Sequence, residues 1–134
     1  MKNNKGFSLV ELMVVIIIVG ILSFVSFNMY KRYKKNAIMT EGKALLSSLI
    51  DFEDVYYTEK DIYFSDNIGF RSSVPSSETK IVGINAASNK YFRTFNFIRN
   101  GSNVTIQVKD TKGKITMQVV MSPNSEPVYT ETVN

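Results

Sequence analysis

The sequence predicts an α+β fold: one long N-terminal α-helix, its first half suited to a membrane and its second half amphipathic, laid on a small antiparallel β-sheet. Three observations predict it. Residues 7–29 form an almost unbroken apolar run in which Glu11 is the one charge. Apolar residues then recur at spacings of three and four as far as Tyr56, the signature of one helix face. The last third alternates apolar and polar residues between tight-turn signals, as half-buried strands do.

The chain begins with a short, polar, positive stretch, MKNNKG. The apolar run beyond it would extend about 34 Å as a helix, enough to span a bilayer core of roughly 30 Å. A removed secretory signal has a shorter apolar region that ends at a small-residue site. Here the run leads into YKRYKK, residues 30–35, so the segment reads as an anchor. Four bases with Tyr30 and Tyr33 among them suit a headgroup region.

The helical pattern continues past the membrane edge. Ile38, Gly42, Leu45, Leu49, Phe52 and Tyr56 share one face, while Lys31, Lys35, Glu41, Lys43, Asp51 and Asp54 fall largely elsewhere on the wheel. No proline interrupts residues 7–58, which predicts a single helix of about fifty residues whose second half packs on the C-terminal part of the chain. From residue 61 to 79 the pattern breaks into Asp, Asn, Gly, Ser and Pro. This predicts a long loop with room for a short element of its own.

Residues 81–84 (IVGI) are a strand candidate, and residues 91–99 are aromatic and β-branched up to the Asn100-Gly101 turn signal. Val104, Ile106 and Val108 alternate with polar residues, as do Ile115, Met117, Val119 and Met121 after the turn at Asp110-Thr111-Lys112-Gly113. Pro123 and Pro127 then punctuate what reads as a polar C-terminal tail. The turn at Asp110 offers too few carboxylates for a calcium loop. The Asn103-Val104-Thr105 sequon reads as a chance triplet.

Composition narrows the function. About a hundred residues beyond the anchor are enough for one small core. There is no cysteine and no histidine, which removes the thiolate nucleophile, the usual general base near neutral pH and the commonest transition-metal ligands. No catalytic set, cofactor site or metal site is read. The formal charge is +4, but after Asn36 ten Lys/Arg face eleven Asp/Glu. The basicity is therefore local, and no specific nucleic-acid partner is expected.

Glu11 is the anomaly. A carboxylate inside an apolar span costs about 2.5–3.5 kcal/mol even on lenient insertion scales. A cut between Gly6 and Phe7 would create an α-amino cation four residues away, on the same helix face. An anion in the first turn also complements the helix dipole.

The run Lys5-Gly6-Phe7-Ser8-Leu9-Val10-Glu11 ahead of an apolar helix resembles the type III signal of type IV pilins and type II secretion pseudopilins. The resemblance is specific over residues 5–33. It implies a pilin fold, with a leader peptide at 1–6, a transmembrane and polymerisation helix at 7–29 and a globular domain at 30–134. Within that domain the reading places the amphipathic helix half, the loop 61–79, an antiparallel sheet over 80–121 and the tail. It also implies that a prepilin peptidase cuts after Gly6 and N-methylates Phe7. Glu11, fifth in the mature chain, would pair with the N-terminal amine of a neighbouring subunit.

The implied partners are that peptidase, other copies of the chain and minor pilins in a filament, the inner-membrane assembly machinery, and membrane lipid before assembly. The implied location is the inner membrane, with the globular domain outside, then an extracellular pilus or a periplasmic pseudopilus. A simple positive-inside count would put that domain in the cytoplasm; the specific motif outranks the count. Gly20 matches a common family glycine, and Asn28 stands where major pilins usually carry proline. The resemblance implies local unwinding of the helix between these two residues in a filament, an implication that the missing proline weakens. The C-terminal disulfide loop of many pilins has no counterpart here. The reading is thus a structural filament subunit. A pseudopilin and a non-polymerising membrane-anchored binding module remain as alternatives. Nothing in these residues selects among adhesion, twitching motility, DNA uptake and protein secretion.

Overall fold

The computed structural model describes residues 6–65, 69–74 and 83–133. The chain forms two compact units, Met1–Ala37 and Ile38–Asn134. Helix α1, Leu9–Lys60, contributes to both as one 52-residue element, as the proline-free pattern predicts. Asp61 ends it in the left-handed region (φ 58°), and its N–H reaches the Tyr57 carbonyl at 2.8 Å. Asp is one of the few residues that tolerate this conformation beyond a helix end.

In the first unit the apolar side chains of α1 stand exposed: Leu12 at 61 %, Ile16 at 60 % and Phe24 at 72 %. In the second unit the same helix buries a stripe. Gly42, Leu45, Leu49 and Phe52 are buried, and Ile38 and Tyr56 pack half-buried at its margin. The face is wider than its strict periodicity predicts, because Met39, Leu46, Ile50 and Glu53 are buried too.

The main sheet is an antiparallel meander in the order β3-β4-β5-β6: Phe92–Asn100, Asn103–Asp110, Ile115–Ser122 and Ser125–Val133. Register aligns its apolar residues into rows. Phe97, Ile106 and Val119 form one, and Phe95, Val108 and Met117 the next. Directly opposed residues share a face, so the rows meet the buried stripe of α1. An irregularity between Phe92 and Thr94 resets the alternation and lets Phe92 point inward as well, with Phe92, Phe95 and Phe97 all at or below 1 % exposure. Burying each such ring contributes about 1.5–3 kcal/mol. Phe52, Phe64 and Phe97 meet at centroid distances of 5.3–5.8 Å, in the range aromatic pairs favour.

Turn chemistry sets these registers. Asn100 pairs with Asn103, leaving Gly101 and Ser102 as a two-residue loop with Gly101 at φ +64°; a first central residue of that kind is what a II′ hairpin requires. Asp110 organises the next turn by accepting the Ile115 N–H at 2.8 Å. A second, two-stranded sheet pairs β1, Ser73–Val74, with β2, Ile84–Asn85. Arg71 bridges its backbone to Phe95 through two 2.8 Å hydrogen bonds.

Three expectations need correction. The C-terminal stretch is strand β6, not a polar tail, so the main sheet runs from residue 92 to 133 and not over 80–121. Pro123 and Asn124 form its tight turn, with Asn124 at φ 64°. Pro127 lies near the irregular start of a strand at the edge of the sheet, where proline is tolerated. The strand candidate at 81–84 is described only at its end: Ile84 belongs to β2 in the small sheet, and residues 81 and 82 lie outside the described residues. Glu41, grouped with the outward charges, is half-buried against the start of β3.

Candidate functional site: the N-terminal segment

Gly6, Phe7 and Ser8 precede the helix in non-helical conformation, and Phe7 is 89 % exposed. Ser8 occupies the cap position of α1. Its carbonyl accepts the Leu12 N–H at 3.2 Å, and its hydroxyl accepts the Val10 N–H at 3.3 Å. Glu11 closes the arrangement by accepting the Ser8 N–H on Oε2 at 2.8 Å. This is a variant of the capping box: the serine hydroxyl takes the second amide of the helix instead of the third, and the glutamate three residues on takes the serine amide, so both satisfy backbone donors the helix cannot. The signal S-x-x-E is legible in the sequence as Ser8-Leu9-Val10-Glu11, and inspection for a basic partner passes over it.

Glu11 therefore has a partner within its own chain, and among the described residues that partner is a backbone amide on one oxygen. A carboxylate has about four lone-pair sites, so the group retains capacity for a second donor. The residue before the engaged amide is Phe7, whose nitrogen becomes an α-amine on cleavage after Gly6. The structure thus places Gly6, Phe7 and Glu11 within one exposed helix start.

Gly20 and Asn28 both lie inside regular α-helix. Between them, Ser23 donates its hydroxyl to the Val19 carbonyl at 2.7 Å and Ser26 to the Leu22 carbonyl at 2.8 Å. Such back-bonding competes with the backbone ladder and often bends helices. Gly20 has no neighbouring atom that an added Cβ would meet within 4 Å, and glycine lowers helix stability by about 1 kcal/mol relative to alanine. The stretch is helical here.

The segment also qualifies by length and composition as a helix able to cross a membrane. Two carboxylates on the second unit escape sequence inspection. Glu41 Oε1 accepts the N–H groups of Tyr91 and Phe92 at 2.6 and 2.8 Å. Glu53, fully buried, accepts the Phe64 N–H at 2.8 Å. Desolvation raises its pKa to about 8, against the opposing pull of that N–H and with Asp54 adding to the rise. Both carboxylates fasten helix to neighbouring chain.

The family model described as the prokaryotic N-terminal methylation motif matches residues 1–27. No curated protein and no solved structure matches the chain. The matched residues contain the whole capping box, the Gly6-Phe7 pair and all but the last two residues of the apolar run. The chain thus carries, over residues 1–27, the prepilin signal of type IV pilins and pseudopilins.

Proposed function

We propose that this chain is the structural subunit of a type IV pilus filament. Prepilin peptidase cuts between Gly6 and Phe7, the new Phe7 amine is methylated, and the mature chain polymerises through residues 7–29. Glu11 pairs with the Phe7 amine of a neighbouring copy and sets its register. The observation that carries the reading is the exposed apolar helix start with a carboxylate held in its first turn, inside a matched methylation motif.

The physics of assembly comes from that surface. Before assembly, lipid covers the apolar side chains; in a filament, neighbouring helices cover them. The apolar transfer is nearly balanced, because lipid tails are as apolar as leucine. Charge pairing then contributes selectivity. A carboxylate and an ammonium removed from water together attract far more strongly than they do in water, and a misaligned copy would leave both unpaired in an apolar bundle.

Mass spectrometry of the native protein tests the processing step. A mature chain beginning at methylated Phe7 is the expected result, and an intact Met1 in assembled material would refute it. A pseudopilin would share every residue of this device. Electron microscopy of sheared surface material separates the two, since long filaments are expected of a pilus and none of a periplasmic pseudopilus.

A further inference from the structure

Lys31, Arg32, Lys34 and Lys35 put four cations into five residues, directly after the apolar segment. All four are exposed. At 100° per residue they occupy a sector of about 160°, with Tyr30 and Tyr33 across the wheel. Both tyrosines are exposed, at 64 % and 65 %. Lys31 Nζ lies 4.2 Å from the centroid of the Phe27 ring, so its stem folds back one turn along the helix and its ammonium rests on an aromatic face at the end of the apolar segment. With the segment seated across about 30 Å of hydrocarbon, Tyr30 comes to the interface and the four cations lie within the next turn and a half.

The charge belongs to this place and not to the chain at large. Beyond Asn36 acidic residues outnumber basic ones by eleven to ten. Such a cluster beside a membrane span attracts negative surface charge at close range and loses that attraction beyond a Debye length. Tyrosine at the same level suits the interface on amphipathic grounds.

We propose that Lys31, Arg32, Lys34 and Lys35 form a docking surface for anionic lipid headgroups, which gathers acidic lipid around the membrane-anchored chain and fixes its depth. The inference rests on the membrane-anchored precursor of the pilin reading, but needs neither cleavage nor polymerisation.

The test uses the uncut full chain in phosphatidylcholine vesicles containing a minority of phosphatidylglycerol. Electron spin resonance of spin-labelled lipids reads which lipid occupies the shell around the protein. Each base near a surface is worth about fivefold in attraction, so phosphatidylglycerol is expected to be enriched several-fold at low salt. The preference should fall towards parity in molar salt. Combined Lys31→Gln, Arg32→Gln, Lys34→Gln and Lys35→Gln substitution should abolish it, whereas Lys31→Arg, Lys34→Arg and Lys35→Arg should preserve it.

Equal occupancy by the two lipids around the natural chain overturns the proposal, as does undiminished enrichment around the neutralised variant. Should that variant fail to insert, the natural chain's salt series still decides. Parity with lipid combined with cross-links from these bases to acidic residues of a second copy in filaments would assign the cluster to a protein contact instead. An unprocessed N-terminus in native filaments would refute the pilin reading and leave the lipid result standing.

Discussion

Glu41 holds Phe92 by its backbone: the carboxylate on α1 receives the Phe92 N–H at 2.8 Å, and the neighbouring Tyr91 N–H at 2.6 Å, on a single oxygen. The two donors stand at the first turn into β3, fifty residues along the chain. One side chain thereby fixes where the sheet begins against the helix.

Replacing Glu41 by Ala leaves both amides without an acceptor in a half-buried site. Each unsatisfied donor costs about 1–3 kcal/mol, so Glu41→Ala should lower stability by about 2–4 kcal/mol in chemical denaturation. Glu41→Gln retains an acceptor oxygen and should lose about 1 kcal/mol. Equal losses from the two variants would show that the hydrogen bonds contribute little.

At Gly42 the helix comes close to the sheet. A Cβ there would stand 2.6 Å from Met117 Sδ and 2.8 Å from the Phe92 ring. Alanine improves helix propensity by about 1 kcal/mol, but overpacking a core costs about 1–3 kcal/mol. Gly42→Ala should therefore be destabilising on balance. Adding Met117→Ala should recover part of the loss, a coupling that a double-mutant cycle in thermal unfolding would read. Simple additivity of the two substitutions would refute the proposed close contact.

Glu53 makes stability depend on pH. Its folded pKa, about 8, lies above the ordinary value of 4.5 because burial disfavours the charged form. Between those values the folded chain holds a proton that the unfolded chain has released. Stability is thus fully present below pH 4.5, declines as pH rises, and levels off above about 8. The loss from this group is on the order of 5 kcal/mol. Histidine is absent, so few other groups titrate through the middle of this window. Glu53→Gln should flatten the profile of unfolding free energy between about pH 5 and 8; a variant that keeps the natural slope would locate the titration elsewhere.

Glu11 caps its own helix, and in the proposed filament it also pairs with a neighbour's amine; the two roles can be separated. Glutamine can serve the capping box but carries no charge. Glu11→Gln should therefore be processed and inserted normally while filament yield falls sharply, by tenfold or more on the order of one lost ion pair out of water. Ser8→Ala removes the hydroxyl cap, worth about 1 kcal/mol, and retains the carboxylate, so filaments should persist. The reverse ranking in sheared-filament yield would make capping, not pairing, the purpose of Glu11.

The methylation motif was legible because it is local: Gly6, Phe7, Ser8 and Glu11 lie within six residues. Inspection of the sequence passes over the helix cap made by Ser8 and Glu11, although it depends only on spacing along one turn. The long helix was equally readable, since an uninterrupted 3.6-residue pattern needs no partner to be recognised. The meander through β5 could be read for the same reason: each turn and each alternation is encoded within a few residues.

Tertiary structure alone decided the rest. Ser125–Val133 has little apolar alternation and contains Pro127, so its strand character comes from the backbone donors and acceptors of β5 beside it. Glu41 and Glu53 look like surface charges on a helical wheel. Their carboxylates turn inward because Tyr91, Phe92 and Phe64, far along the chain, present N–H groups that would otherwise be buried unpaired. Local pattern specifies what a segment becomes; which polar group can be buried depends on a donor that only the folded chain brings within about 3 Å.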